Sequence, residues 1–172
     1  MLEGGAVRRR ILLCALAMFF VLGVAPGASA ATDGRPVAGT MTGAGGFRLE
    51  GCGQVTNIGS GEFRARGLGR GTYAFNVCVF NDTVLTFDGT ITLTTAGGAT
   101  LTGTIGGTFT GGAGPIFDVV ITGGTKQFAQ AGGTLTFGPL VQSDFTNCYP
   151  QADICLDWRD TGPITGTITN VA

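Results

Sequence analysis

Residues 121–138 read ITGGTKQFAQAGGTLTFG. Two glycine pairs, Gly123-Gly124 and Gly132-Gly133, bracket a run long enough for about one helical turn, and a threonine-rich alternating segment follows. A glycine-rich loop that opens a long helix would cradle a phosphate at the helix N-terminus. Here the residues on both sides alternate as strands do, so the loop leaves one strand and enters another. The helix that a phosphate site needs is missing. We expect Gly123-Gly124 to turn the chain, Phe128 to plug apolar space at the end of the fold, and Gly132-Gly133 to restart the strand at Thr134. The stretch is scaffold.

The same alternation extends in both directions. Thr72–Phe80 places Tyr73, Phe75, Val77 and Val79 on one face. Leu85–Thr95 carries Leu85, Phe87, Ile91 and Leu93 on one face and Thr86, Asp88, Thr90, Thr92 and Thr94 on the other, the pattern of a half-buried strand. Ala96-Gly97-Gly98 then turns the chain into Ala99–Thr110, which alternates again, so the pair reads as a β-hairpin. Further strands are predicted at Val37–Thr42, Phe47–Glu50, Gly61–Leu68, Ile116–Thr122, Thr134–Gly138 and Ile164–Thr169. No apolar pattern of helical period follows the first thirty residues. The fold is therefore all-β, an antiparallel up-and-down β-barrel of about eight strands, with a β-sandwich as the alternative. Glycines on the apolar faces (Gly89, Gly103, Gly107, Gly166) favour the barrel, whose wall needs sharp bends and close backbone approach. A threonine-ladder solenoid needs a fixed repeat, and the Gly-Thr pairs show none.

The first thirty residues stand apart. Arg8, Arg9 and Arg10 precede the apolar run Ile11–Val24, and Ala28-Ser29-Ala30 supplies a small-x-small cleavage pattern. The run is too short to span a bilayer, so it reads as a signal peptide removed after Ala30, with Cys14 leaving in it. Whether export uses the general or the twin-arginine route stays open. Residues 31–172 are then one secreted domain with no further membrane span. Charges are sparse: ten basic and eleven acidic residues in the whole chain. That gives no footprint for nucleic acid or anionic lipid.

Cys52, Cys78, Cys148 and Cys155 remain in the exported domain. An even count in an exported chain argues for two disulfides, and pairing chain neighbours gives Cys52–Cys78 and Cys148–Cys155. Loop closure suggests roughly 3–4 and 2–3 kcal/mol respectively. A four-cysteine metal site lacks CxxC spacing and no histidine is present to assist, so no metal is expected. Residues 139–163 hold the later pair, the single tryptophan Trp158, and Asp144, Asp153, Asp157 and Asp160. They read as a surface excursion pinned by Cys148–Cys155. The aspartates lack the register of an EF-hand loop and read as solvated charge.

Catalytic chemistry has few carriers. Without histidine, Ser-His and Cys-His nucleophiles are excluded. Gly67-Leu68-Gly69-Arg70-Gly71 echoes a dinucleotide loop but leads into a strand. Glu62, Arg64 and Arg66 share a strand face opposite Phe63 and Ala65; inside a barrel the arginines could polarise a carbonyl or bind a carboxylate, and outside they are solvated charges on the wall.

The stretch Ile121–Phe137 resembles the dirigent and allene oxide cyclase superfamily, whose members carry a strand, a GGTG-x-F-x-x-A-x-G turn and another strand. Gly123, Gly124, Thr125, Phe128, Ala131 and Gly132 carry the match, while Lys126 stands where the family has a glycine and Gln130 replaces a small residue. Phe87-Asp88-Gly89-Thr90, Thr100–Thr104 and Ile164–Ile168 are similar to segments of exported bacterial barrels of that type. The resemblance implies an eight-stranded antiparallel barrel whose mouth or lumen takes an apolar ligand, and in some relatives guides a cyclisation. We expect a non-catalytic binder of a small apolar ligand or a cell-surface partner, needing no cofactor. Two alternatives stay open. One is a cofactor-free cyclase or isomerase drawing polarity from Arg64, Arg66, Tyr73, Asp88 or Asp118; the other is a structural or adhesive cell-surface protein. The ligand's identity and the oligomeric state stay open too.

Overall fold

Runs in which threonine alternates with branched and aromatic side chains become strands one after another. The computed structural model describes residues 34–48, 52, 55–81, 85–109, 114–149 and 154–172. The predicted leader and its cleavage site lie outside them, as does Asp153. The strands are β1 (Arg35–Arg48), β2 (Val55–Arg66), β3 (Gly69–Asn81), β4 (Leu85–Thr95), β5 (Thr100–Phe109), β6 (Ile116–Gly124), β7 (Gly132–Phe137), β8 (Val141–Tyr149) and β9 (Ile154–Thr169). A short 3-10 helix, Lys126–Phe128, lies between β6 and β7.

Each of β1 to β6 pairs antiparallel with the next, β7 pairs with β9, and β9 pairs with β1. The eight-stranded ladder therefore closes on itself, and the fold is an antiparallel barrel with no open sheet edge among those strands. β8 is the ninth strand. Along β9, Ile164–Thr169 pairs with β7 and Ile154–Thr161 with β8, while β1 occupies the opposite side from Asp157 to Ile168. β8 thus runs on from β7 along the same flank, after the step Gly138–Leu140.

The inner face of each strand is apolar. Val37, Met41, Phe63, Ile91, Leu93, Leu101, Ile105, Val119, Leu135, Phe137, Ile164 and Ile168 are all buried and fill the lumen through its middle and one end. At that end the hairpins are tight, and Phe128 from the 3-10 turn is buried as a plug. Full burial of such a ring stabilises by roughly 2–3 kcal/mol. Thr125 ties the turn to β5, its N–H donating to Thr100 O at 2.9 Å. Lys126 adopts φ 54°, the left-handed conformation that favours glycine. Its Nζ donates to Gly97 O at 2.7 Å.

Disulfides join Cys52 to Cys78 and Cys148 to Cys155. Such bonds fit an oxidising, extracytoplasmic environment.

The structure differs from the sequence expectations in two places. Val37–Thr42 and Phe47–Glu50 are not separate strands, because β1 runs through Gly43-Ala44-Gly45-Gly46. The glycines do not break the strand; Gly43 and Gly45, on its inner face, make room. A Cβ on Gly43 would collide with the Tyr73 hydroxyl, and one on Gly45 would lie 3.1 Å from Trp158 Nε1. Val141–Tyr149 and Ile154–Thr161 pair as an antiparallel ladder within the span expected as a surface excursion. Pro163 sits inside β9 at the step between its β7 and β8 pairings, and its carbonyl accepts from Gly138 N at 2.9 Å.

Candidate functional site

At the end opposite Phe128, the strand ends leave a cavity of about 150 Å³ at the barrel mouth. Its wall holds the aromatic rings of Phe47, Phe75, Phe87, Phe109, Phe117 and Phe145, with Trp158 closing one side. Phe47 meets Trp158 edge-on at 4.8 Å between ring centroids, and Phe117 packs against both Phe75 (5.7 Å) and Phe87 (5.2 Å). β8 completes the wall with Phe145 and Gln142. Alternation puts these rings on the inner face, Phe47 on β1, Phe75 on β3, Phe87 on β4, Phe109 on β5 and Phe117 on β6.

Three polar side chains interrupt the apolar wall. Asp160 on β9 is 5% exposed and Asn57 on β2 is 4% exposed, and both line the cavity with Gln142. Asp160 reaches the inner face through the phase of β9, where Trp158, Asp160, Gly162, Ile164, Gly166 and Ile168 alternate inward. Its partner in register on β1 is Gly43, over which the Tyr73 hydroxyl sits. Gln142 Nε2 donates to Asp160 Oδ1 across a long 3.4 Å. No arginine or lysine lines the cavity. The two ion pairs among the described residues, Arg48–Asp157 and Arg159–Asp144, are exposed on the outer face.

Burial pushes the Asp160 carboxyl up to about 6, against the moderating effect of Gln142 and the nearby Trp158 indole. The same burial, with the Asp160 charge adding to it, raises the Tyr73 phenol above its ordinary value and holds it neutral. Asn57 Oδ1, the Tyr73 hydroxyl and Trp158 Nε1 are buried with no hydrogen-bond partner. The indole is close enough to Asp160 to favour the carboxylate, yet not placed to donate to it. Unpaired buried polar atoms each cost about 1–3 kcal/mol; two of the three, Asn57 Oδ1 and Trp158 Nε1, belong to residues that line the mouth cavity, where ligand contact would offset that cost.

The residues singled out from the sequence divide sharply. Arg64, Arg66, Asp88 and Asp118 all point outward and are exposed; Asp118 accepts from Thr136 Oγ1 at 3.0 Å on the outer wall. Of that set only Tyr73 lies inside. Asp160, expected as solvated charge, is instead buried because its strand phase turns it inward. Asp157, one residue pair removed in phase, does sit on the surface and pairs with Arg48. Stepping back by twos from Ile164 would have found both Trp158 and Asp160; Pro163 hid that continuity. No group of residues suited to hold a metal ion occurs among the described residues.

A larger concavity, about 480 Å³, lies on the outer wall between Thr40, Glu62, Arg64, Arg70 and Thr94. It is broad and open to solvent, and it gathers no buried polar atom. The mouth cavity is smaller but has the enclosure and the unsatisfied groups that recognition uses.

No protein-family model matches the sequence, and no curated protein matches it. Among solved structures the chain is similar to a pterocarpan synthase dirigent protein, with a TM-score of 0.45 and 10% identity, over 78% of this chain and 86% of that one.

Proposed function

We propose that the protein is an exported, disulfide-braced barrel that binds a small, largely apolar ligand at its mouth without transforming it. One observation carries the proposal: a ring of six phenylalanines and Trp158 encloses about 150 Å³ and surrounds the unpaired polar atoms of Asn57 and Trp158 and the carboxyl of Asp160. A cavity on that scale takes a molecule about the size of benzene. The lumen beyond it is filled, so the ligand sits at the rim. The predicted leader and the two disulfides support an extracellular site of action. The closed eight-strand ladder and the Ile121–Gly138 turn keep the chain among exported barrels of the dirigent and allene oxide cyclase type in this reading. Native mass spectrometry of protein taken from the culture medium tests it. A retained small molecule that is lost on Phe117→Ala is the expected result; a clean mass for both proteins counts against it.

A second reading is favoured by the buried Asp160 beside the neutral Tyr73. A carboxyl pushed up to about 6 exchanges protons near neutral pH, which is what a cofactor-free cyclase or isomerase requires of its acid. Under this reading Asp160→Asn leaves binding of the retained molecule intact and abolishes its conversion. Conversion that persists in that variant removes it.

A further inference from the structure

We propose that the ligand of the mouth cavity is a small organic cation, of the quaternary ammonium or alkylamine class, held by the aromatic wall and the Asp160 carboxylate. The inference rests on the binding reading above and names its ligand class.

The lining carries one formal charge, and it is negative. Asp160 has Gln142 as its only hydrogen-bond donor in the described structure, through a long contact, and no basic side chain reaches the cavity. A carboxylate 5% exposed without a counter-ion is a strong local source of negative potential. Around it stand seven aromatic rings whose faces carry partial negative charge. That combination is how proteins enclose alkylated ammonium groups, which are too weakly hydrated to resist leaving water and too bulky to accept an ordinary salt bridge. Asn57 adds a third negative element: its Oδ1, an acceptor, is buried at the cavity with no donor. Among the residues that line the cavity, the indole N–H of Trp158 is a donor without a partner, and a hydroxyl or ether oxygen on the cation's tail would use it.

A neutral hydrocarbon would fill the same space and leave Asp160 and Asn57 uncompensated. An anion would meet the carboxylate directly. Only a cation answers both the charge and the rings.

Trp158 is the sole tryptophan of the chain, so its emission reports the site alone. The test titrates the wild-type protein at pH 7.5 with choline, tetramethylammonium and dimethylbutanol, the neutral carbon isostere of choline. Choline is expected to bind about ten-fold or more tighter than dimethylbutanol, the scale of a desolvated cation–π contact. Asp160→Asn, nearly isosteric, is expected to bring the two within about three-fold of one another. Equal affinity of choline and dimethylbutanol for the wild type overturns the cation inference while leaving the apolar site standing. No saturable response to any of the three overturns both. The wild-type comparison holds even if the variant fails to fold.

Discussion

Gln142 on β8 and Asp160 on β9 are partners in register, and Gln142 Nε2 donates to Asp160 Oδ1 across 3.4 Å. This pairing is how the ninth strand, which barrel closure does not need, takes part in the site. β8 extends the sheet beside β9 beyond the end of β7, sets Gln142 against a buried carboxyl, and supplies Phe145 to the aromatic wall. Its own residues gain little from the arrangement, since Val141, Phe145 and Tyr149 stay more than half exposed.

The buried carboxyl sets a pH dependence with a definite sign. Its folded value, about 6, lies above the ordinary 3.8, so the folded state holds the proton more tightly than the unfolded chain does. Stability is therefore full below about pH 4 and declines as pH rises to about 6, by an amount on the order of 2–3 kcal/mol. Asp157, held below 3.8 by the hydrogen bond from Arg48, acts in the opposite sense at lower pH and leaves this window clear. Urea midpoints at pH 4 and pH 7.5 should fall for the wild type and stay level for Asp160→Asn. An equal fall in the variant places the effect elsewhere.

Gly59 on β2 leaves space for a ring on β3. A Cβ there would collide with Phe75 and meet no other atom among its nearest contacts. Gly59→Ala should cost about 1–3 kcal/mol through overpacking, and adding Phe75→Leu should recover most of it. Chemical denaturation of the two single variants and the double variant gives the coupling directly. Additive losses would mean that the two positions do not share that space.

The plug at the other end should be separable from the mouth. Phe128→Ala removes a fully buried ring and should cost about 3–5 kcal/mol. Ligand affinity of the folded protein should not change, because the filled lumen separates the two ends. Affinity lost in proportion to stability would show that the mouth depends on the plug.

Arg64→Ala and Arg66→Ala should be nearly silent. Both side chains are exposed on the outer wall, and neither makes a hydrogen bond or ion pair among the described residues. Stability should change by less than about 0.5 kcal/mol and ligand binding not at all. A marked loss of binding would move the site to the outer groove.

How far the sequence carries depends on phase. From Leu85 to Phe109 the alternation resumes in phase on both sides of the turn, and the hairpin found there is the one the residues predict. The Ile121–Gly138 turn is equally legible, down to Phe128 filling space, because glycine positions and a lone aromatic leave few alternatives. β1 was legible only in pieces, since its inner-face glycines carry no apolar signal; their meaning lies in Tyr73 and Trp158, on other strands. β8 has no local signature at all. Asp144 and Asn147 adopt positive φ there, and its register slips between Ser143 and Thr146, so its alternation is broken and β9 alone holds it in place. The site followed the same rule. Tyr73 sits in a clean alternating run and was identifiable as inward-facing, whereas Asp160 sits behind Pro163, where phase could not be extended without knowing that β7 and β8 part at that point.

The central claim is that the mouth of the barrel, with its phenylalanines, Trp158 and Asp160, is where this protein meets its ligand. An amide and indole chemical-shift titration with choline tests it most directly. Saturable shifts are expected for the Trp158 indole and the amides of Phe47, Asn57 and Phe145, with Lys126–Phe128 unmoved. Shifts confined to the outer wall around Arg64 and Arg70, or none that saturate, would contradict it.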